Sequence, residues 1–258
     1  MEKKYAVFLD IDGTLVSGIN KIHPDNLKTI SEVRSLGHYV FLNTGRALSW
    51  VVVPKLVNLD NFDGIISGMG SNVLMHGKTL SENLIDKNTV YEVIKYFLNT
   101  KHCFFVSGVD TGFILNPLPI FKPFPFVPIT TPEDYLNNYS DKKIQKIEIF
   151  GKHITDEEKG FLSQYLDVYD HKAYIEASPK GITKSGAMID TAAKLGIPKE
   201  CVIAMGDSVN DMDMLKNAGI SVAMGNALPE VKEFSDFISI PCDKGGVAYA
   251  LRKIILEG

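Results

Sequence analysis

Two aspartates separated by one residue lie near the start of the chain, in the segment Asp10-Ile11-Asp12-Gly13-Thr14. They directly follow an apolar run that is typical of a buried strand. Because side chains alternate along a strand, the carboxylates of Asp10 and Asp12 start from the same side of the chain, and Gly13 permits a tight turn. Two like charges held close together are costly unless one carboxyl is protonated or a cation lies between them. The pair is suited to acid–base chemistry or metal binding, although Asp and Gly are also common in ordinary turns.

A second acidic segment, Gly206-Asp207-Ser208-Val209-Asn210-Asp211, also follows a buried apolar run. Asp207 is expected at the carboxyl end of that strand, with Asn210 and Asp211 in the first turn of a helix, near free backbone N–H groups. Taken alone, the segment is equally typical of an acidic helix cap. Together with the first pair, it supplies hard oxygen ligands at one edge of a sheet, which suits Mg²⁺.

Two further segments contain groups that can hold a phosphate. Thr44-Gly45-Arg46 ends a predicted strand, and a hydroxyl with backbone N–H groups at a helix N-terminus forms a phosphate cradle, although Thr-Gly also marks ordinary turns. Lys180 and Lys184 precede a predicted helix, where they act either as solvated surface groups or as a phosphate clamp.

The charges of these segments relate them to one another. Four converging aspartates bring four negative charges, and a phosphate monoester adds about two more. One Mg²⁺ and one lysine return three positive charges, and a proton on Asp12 removes one further negative charge. A protonated carboxyl is also what a general acid requires. A metal ion, a lysine and a protonated carboxyl would therefore together offset most of the negative charge of the aspartates and the phosphate.

The elements that position these residues follow an α/β alternation at both ends of the chain. Short apolar runs alternate with amphipathic segments, as in βαβ units of a parallel sheet. We therefore expect both ends to form halves of one sheet. The predicted strands are 5–10, 38–43, 64–67, 201–205 and 220–223, and the predicted helices start at Pro24, Lys184, after Asn210 and near Gly246.

The middle of the chain has a different pattern. Residues 142–150 alternate polar and apolar, which predicts a strand with one solvated face, and 173–177 is a similar run. Helical patterns fall near 87–98 and 155–166. Six of the twelve prolines lie in 117–132, interleaved with phenylalanines, which predicts a rigid surface loop. Its aromatic rings either stack on a sugar or another ring or, as we expect, pack inside their own domain. We read residues 81–182 as an inserted domain with a more antiparallel sheet and two helices.

Composition excludes several classes of protein. The chain has 258 residues, is 45% hydrophobic and 22% charged, and has a net charge of −4, which argues against a disordered chain and against nucleic-acid or anionic-membrane partners. The three cysteines (Cys103, Cys201 and Cys242) lack the spacing of a disulfide framework or zinc site, so we expect reduced, packed thiols. The N-terminal apolar run is too short for a signal peptide, and no run reaches membrane-span length, so we expect a cytoplasmic protein.

The four segments together resemble the motifs of the haloacid dehalogenase superfamily, and most closely those of its Cof-type sugar-phosphate phosphatases. Ser221-Val-Ala-Met-Gly-Asn226-Ala and Gly245-Gly246-Val247 also look like closing segments of that family. The resemblance covers nearly the whole chain. It implies an α/β protein with a Rossmann-like, doubly wound parallel-sheet core from residues 1–80 and 183–258. It also implies an α/β cap domain, residues 81–182, which determines substrate specificity.

The resemblance further implies a Mg²⁺-dependent phosphatase acting on small phosphorylated metabolites through an aspartyl-phosphate. Asp10 is the implied nucleophile, and Asp12 protonates the leaving alcohol and then deprotonates the hydrolytic water. The implied phosphate ligands are Thr44, Gly45, Lys184 and Asn210, and the implied metal ligands are Asp10, Asp12, Asp207 and Asp211, of which Asp211 orients Lys184 or a metal-bound water. Ser185 stands before Gly186, where family members often have glycine directly after the lysine, and the distance to the helix favours Lys184 over Lys180.

Two alternatives remain from the same residues. A phosphomutase returns the phosphoryl group to a substrate instead of to water. A receiver-like signalling module also presents acidic residues, Thr and Lys around an aspartyl-phosphate, but the acceptor on the first strand and an insertion of this size argue against it. The expected partner is a small phosphate ester, and we expect a monomer or weak homodimer.

Overall fold

A computed structural model describes residues 3–18, 21–52, 54–119, 126–151, 153–171 and 173–258. Residues 120–125 of the proline-rich segment, with Phe121 and Phe124, lie outside the described residues. The strands are β1 (Ala6–Leu9), β2 (Val16–Ser17), β3 (Lys21–Ile22), β4 (Tyr39–Asn43), β5 (Gly64–Ser67), β6 (Asn72–Met75), β7 (Lys78–Glu82), β8 (Cys103–Gly108), β9 (Gly112–Leu115), β10 (Val127–Pro128), β11 (Ile144–Phe150), β12 (Leu166–Asp170), β13 (Tyr174–Pro179), β14 (Val202–Gly206), β15 (Ile220–Ala223) and β16 (Phe237–Ile238). The helices are α1 (Pro24–Ser35), α2 (Leu48–Val52), α3 (Lys87–Phe97), α4 (Pro132–Tyr139), α5 (Asp156–Tyr165), α6 (Lys184–Lys194), α7 (Met212–Asn217), α8 (Pro229–Glu233) and α9 (Gly246–Leu251).

The chain forms two compact units. The first contains residues 1–45, 58–81 and 183–258, and the second contains residues 46–57 and 82–182. The sequence pattern predicts residues 46–57 as part of the first unit. They belong to the second because the Trp50 ring lies 5.8 Å from that of Phe105 and 4.6 Å from that of Phe126. The aromatic contacts also place Phe126 inside its own unit, as expected for the phenylalanines of this segment.

The sheet of the first unit joins the two ends of the chain. Its strand order is β16-β15-β14-β1-β4-β5-β6-β7. Strands β16 to β5 run parallel, and β6 is antiparallel to β5. Leu9 lies opposite Met205 on one side and Leu42 on the other, so the residues that follow β1, β14 and β4 come out at the same edge. The Rossmann-like parallel core predicted from the sequence is confirmed.

Apolar residues on both faces explain why β1 is central. All four residues of β1 are fully buried, and the Phe8 ring stacks on that of Phe41 in β4 with centroids 5.4 Å apart. A strand covered on both faces has a continuous apolar sequence, and the run at 5–9 therefore predicts this strand. Helix α1 is tied to α9 by the side chain of Asn26, whose Oδ1 accepts a hydrogen bond of 3.0 Å from the Ala248 N–H. The chain continues after α9 in a π-helical turn over Arg252–Leu256.

The second unit has its own sheet, in the order β10-β9-β8-β11-β13-β12. Its neighbours are antiparallel except for the parallel pair β9 and β10. The predicted helices are confirmed as α3 and α5. Helix α4 is not predicted by the sequence pattern, because Pro132 ends the proline-rich segment, which is predicted to be a loop. Proline is compatible with the first turn of a helix, where its missing N–H has no partner to lose, and the Thr131 hydroxyl caps this turn through the Asp134 N–H at 3.0 Å.

Strand β11 differs from its prediction. Its alternating pattern predicts one solvated face, yet Gln145 and Lys146 are buried and Glu148 is largely buried. The polar side chains are buried because they have partners. The Lys146 ammonium lies between the carboxylates of Glu148 and Glu176, at 3.1 Å and 2.8 Å. The alternating pattern therefore correctly indicates that one face of β11 is polar, but that face is not exposed to solvent.

The cysteines agree with expectation, since Cys103, Cys201 and Cys242 are all buried free thiols. Among the described residues, no helix has both the length and the apolar character needed to cross a membrane.

Candidate active site

A buried lysine between two aspartates forms the centre of the candidate site. Lys184 is the first residue of α6, and its ammonium donates hydrogen bonds to Asp10 Oδ1 at 2.8 Å and to Asp211 Oδ1 at 2.6 Å. The three side chains are at least nine-tenths buried. The Thr183 hydroxyl caps α6 by accepting a hydrogen bond from the Gly186 N–H at 3.0 Å, which holds the helix start that carries Lys184. The site therefore combines residues from β1, α6 and the turn after β14.

The second carboxylate oxygen of Asp211 organises the turn that follows β14. Asp211 Oδ2 accepts hydrogen bonds from the Asp207 N–H at 3.1 Å, the Ser208 N–H at 3.1 Å and the Ser208 hydroxyl at 3.0 Å. Ser208 and Asp211 form a reciprocal capping box around the helical turn Val209–Asp211. Both oxygens of Asp211 are thus engaged in holding Lys184 and this turn.

Asp207 is held against the turn after β1. The Thr14 hydroxyl donates to Asp207 Oδ1 at 3.3 Å, and the Asn226 amide donates to Asp207 Oδ2 at 3.5 Å and to the Gly13 carbonyl at 2.8 Å. Asn226 also accepts a hydrogen bond of 2.8 Å from the Cys242 N–H. Gly13 has a φ of +83°, and a Cβ there would lie 2.2 Å from Asp207 Oδ2. Only glycine permits both this backbone conformation and this approach of Asp207.

Three carboxylates converge closely enough to share one cation. One ligand atom each from Asp10, Asp207 and Asp211 lies within 4.8 Å of the others. Carboxylate oxygens are the donors that Mg²⁺ prefers, and this metal is commonly held by one or two of them together with water and phosphate oxygens. The donor set therefore fits Mg²⁺.

The electrostatics of the three aspartates and Lys184 match this geometry. Burial, together with the charge of Asp211, raises the pKa of Asp10 to about 7, while Lys184 acts in the opposite direction. Burial and Asp211 likewise raise the pKa of Asp207 to about 6. Burial disfavours the charged form of Lys184, but Asp10 and Asp211 raise its pKa above the ordinary lysine value. A cation among the carboxylates would relieve their mutual repulsion.

Several predicted residues lie outside this central group. Asp12 is exposed in the turn after β1, and its carboxylate is not among the three that converge. Thr44 is buried at the end of β4, where its N–H donates to the Ile66 carbonyl at 2.9 Å, and Gly45 follows it, half-buried. Asn210 is exposed on the turn after Asp207. Thr44, Gly45 and Asn210 share the sheet edge with the central group, as the strand order requires.

The structure places the two candidate lysines differently. Lys184 contacts Asp10, whereas Lys180 is exposed and donates to the Gln164 carbonyl at 3.0 Å. The position of Lys184 at the first turn of α6 is the feature that distinguished the two lysines in the sequence.

Thr14, Ser208 and Asn226 contact the predicted residues, but the sequence analysis assigns no role to them. A signal was available for two of them. Thr14 belongs to the first motif, and the spacing from Ser208 to Asp211 is that of a capping box. Asn226 follows β15, and only the strand order brings it to Gly13 and Asp207.

A family model described as haloacid dehalogenase-like hydrolase matches residues 7–251. The chain therefore belongs to this family.

Similar proteins support the same assignment. A 5-amino-6-(5-phospho-D-ribitylamino)uracil phosphatase of Bacillus subtilis strain 168, YcsE, is 31% identical over 252 residues, which span 97% of this chain and 95% of that protein. A solved structure from Geobacillus kaustophilus HTA426 has a TM-score of 0.82 and 27% identity, covering 98% of this chain and 99% of that one. A sugar phosphatase of subclass IIB shares the fold, with a TM-score of 0.76 and 24% identity, covering 97% of this chain and 98% of that one. The protein is a phosphatase of the haloacid dehalogenase-like family and acts on small phosphorylated substrates.

Proposed function

We propose that the protein hydrolyses small phosphate monoesters, with sugar phosphates as the main class, through a phosphorylated Asp10 and with Mg²⁺ as cofactor. The observation that carries this proposal is the contact of Asp10 with Lys184 beside the carboxylates of Asp207 and Asp211. A buried carboxylate next to a lysine and a cation site is suited to attack a phosphorus atom.

Asp10 and Asp12 carry out the two half-reactions. In the first, an Asp10 oxygen forms a bond to phosphorus while the bond to the leaving oxygen breaks, and Asp12 gives its proton to that oxygen. In the second, Asp12 takes a proton from water, the water oxygen bonds to phosphorus, and the bond to Asp10 breaks. The exposure of Asp12 is consistent with a group that exchanges protons with alcohol and water.

The remaining residues position the phosphoryl group. An ammonium has three N–H donors, and among the described residues Asp10 and Asp211 use two of those of Lys184, so one is available for a phosphoryl oxygen. Thr44, Gly45 and Asn210 are the proposed further phosphate ligands. Asp211 positions Lys184, because both of its oxygens are already engaged.

Asp10 and Asp207 are the proposed side-chain ligands of Mg²⁺, with Asp211 adding negative charge beside them. When bound, the cation neutralises charge that develops on the transferred phosphoryl group. Phosphatases of this superfamily generally use Mg²⁺.

We also propose that residues 82–182 select the leaving group. The named substrate of the Bacillus relative carries a ribityl chain, and the subclass IIB structure is that of a sugar phosphatase. Both are consistent with a polyhydroxylated leaving group for this chain.

The test is release of inorganic phosphate from p-nitrophenyl phosphate, with and without EDTA, by the wild type and by Asp10→Asn. We expect EDTA to abolish release and Asp10→Asn to lower kcat by at least about 10³-fold. The matched control is Asp243→Asn, since Asp243 is an exposed aspartate of the same unit and should leave kcat unchanged. Full activity of Asp10→Asn would contradict the proposal. Isomerisation of a sugar phosphate faster than phosphate release would indicate a phosphomutase.

A further inference from the structure

The loop after β15 brings an asparagine to the edge of the first unit's sheet at which the central aspartates lie. Asn226 follows the end of β15 by three residues, and Gly225 precedes it. A Cβ on Gly225 would lie 2.5 Å from the Pro241 nitrogen, and the Gly225 N–H donates to the Ile240 carbonyl at 3.2 Å. Glycine therefore lets this loop pack closely against the segment after β16, and the packing fixes the place of Asn226.

The side-chain amide of Asn226 joins three turns of the first unit. Its Nδ2 donates to the Gly13 carbonyl at 2.8 Å and to Asp207 Oδ2 at 3.5 Å, and its Oδ1 accepts from the Cys242 N–H at 2.8 Å. These partners lie in the turns after β1, β14 and β16. The carbonyl and the carboxylate only accept hydrogen bonds, whereas the N–H only donates. The position therefore requires a carboxamide, since a carboxylate has no donor and an ammonium has no acceptor.

Both oxygens of Asp207 accept a hydrogen bond from an uncharged donor. The Thr14 hydroxyl donates to Oδ1 at 3.3 Å, and the Asn226 amide donates to Oδ2. Because neither donor brings a positive charge, the carboxylate keeps its full negative charge for a cation. Asp10 and Asp211 lie close enough to share that cation with Asp207. Like charges held this close repel one another, so the half-buried Asp207 needs donors that keep it from turning toward water.

We propose that Asn226 is a positioning residue of the Mg²⁺ site, which holds the Asp207 carboxylate and the turn after β1 in the arrangement that binds the cation. The proposal rests on the Mg²⁺-dependent function proposed above and adds a residue to it. Asn226 acts through Asp207 and the Gly13 carbonyl, so its contribution is to the affinity for the metal. Groups that orient metal ligands typically contribute about 10- to 100-fold to metal affinity.

The experiment measures the dissociation constant of Mg²⁺ by isothermal titration calorimetry on the metal-free protein, so the readout does not depend on turnover. We expect Asn226→Ala to raise this constant at least about 10-fold, because Asp207 then keeps only the hydrogen bond from Thr14 on this side. Asn226→Ser is a second variant, in case the first does not fold. Its hydroxyl can donate to only one of the two acceptors, so it should also raise the constant.

The matched control is Asn217→Ala, at the end of α7. The Asn217 amide also donates to one carbonyl and one carboxylate, both of Asp213, at 2.9 Å and 3.2 Å. This variant therefore removes the same two kinds of hydrogen bond from the same unit, but Asp213 is not among the three converging carboxylates. We expect it to bind Mg²⁺ with the wild-type dissociation constant.

Thermal unfolding of the metal-free variants separates positioning from folding. Each alanine variant loses hydrogen bonds and should unfold at a lower temperature than the wild type, but only Asn226→Ala should also bind Mg²⁺ more weakly. A lower unfolding temperature of Asn226→Ala with an unchanged dissociation constant overturns the proposal, as does an equal rise of the constant in Asn217→Ala. If the wild type binds no Mg²⁺, the proposed cofactor fails. If it binds Mg²⁺ and the Asn226 variants bind equally tightly, only the present proposal fails.

Discussion

At the residue scale, the site depends on one ammonium shared by two carboxylates. Lys184 is 3% exposed in its side chain and holds Asp10 and Asp211 at hydrogen-bond distance. Removing one partner of a buried ion pair leaves an uncompensated charge in the protein interior, which is strongly destabilising. Lys184 therefore contributes to stability as well as to the proposed phosphate binding.

Lys184→Ala should lower both stability and activity. We expect a loss of about 3 kcal/mol in the free energy of unfolding, from the uncompensated Asp10 and Asp211, and a fall in kcat of at least about 10²-fold. Urea unfolding, monitored by circular dichroism, measures the loss of stability. A phosphate-release assay measures the loss of activity. Lys180→Ala is the control, and a larger loss of activity in that variant would mean that the wrong lysine has been assigned.

Gly13 offers a second prediction at the same scale. In Gly13→Ala the new Cβ would meet Asp207 Oδ2 at 2.2 Å, so we expect kcat/KM to fall about 10²-fold as the carboxylate is displaced. Gly18→Ala is the matched control, since Gly18 also has a positive φ, of +52°, but a Cβ there lies within 4 Å of no atom of the described residues. Both variants should lose about 1 kcal/mol of stability from backbone strain. Equal activities in a phosphate-release assay would contradict the role given to the close approach.

At the element scale, the start of α6 determines where Lys184 lies. The Thr183 hydroxyl satisfies the Gly186 N–H, and the Asn43 amide of β4 donates to the Lys184 carbonyl at 3.1 Å. Strand order brings Asp10 and Asp207 to the same edge, but the helix cap sets the position of the lysine.

Thr183→Ala should therefore reduce catalysis as well as stability. Loss of the cap costs about 1 kcal/mol, and fraying of the first turn displaces Lys184, so we expect kcat to fall about 10-fold. The comparison is Thr155→Ala, which removes the cap of α5, where the hydroxyl accepts from the Glu158 N–H at 3.2 Å. The two variants should unfold at similar urea concentrations, yet only the first should lose activity. A similar kcat in both would show that the cap does not position Lys184.

At the scale of the whole molecule, each unit has a hydrophobic core of its own. The core of the second unit includes Phe97, Phe104, Phe113 and Ile147, and the first is built around β1, β4 and β14. The chain has one tryptophan, Trp50, and it packs in the second unit against Phe105 and Phe126. Tryptophan fluorescence therefore reports on the second unit.

This separation predicts how Mg²⁺ changes unfolding. A ligand stabilises the unit that binds it, by about 2.7 kcal/mol at 100 times its dissociation constant. Circular dichroism follows the unfolding of both units, and Trp50 fluorescence follows that of the second. We expect saturating Mg²⁺ to raise the urea midpoint of the first unit in the circular dichroism signal. The midpoint of the Trp50 fluorescence transition should not change. Asp207→Asn should remove the shift. An equal shift of the Trp50 transition would show that the two units unfold as one.

Elements and chemical groups that depend on neighbouring residues can be predicted from the amino-acid sequence. Apolar runs showed the strands, and local spacing showed the paired carboxylates, the Thr-Gly turn and the lysine at a helix start. The strand Gly64–Ser67 and the start of α6 at Lys184 agree with their predictions because burial on both faces and a capped first turn leave direct local patterns.

Which of these groups meet, and which side chains are buried, depends on contacts between distant parts of the chain. Asp10 and Lys184 are 174 positions apart, and no periodicity encodes their contact. Residues 46–57 join the second unit through ring contacts of Trp50, and the polar side of β11 is buried because Lys146 finds carboxylates on its own strand and on β13. Burial depends on partners that approach from distant parts of the chain, and local sequence cannot show them.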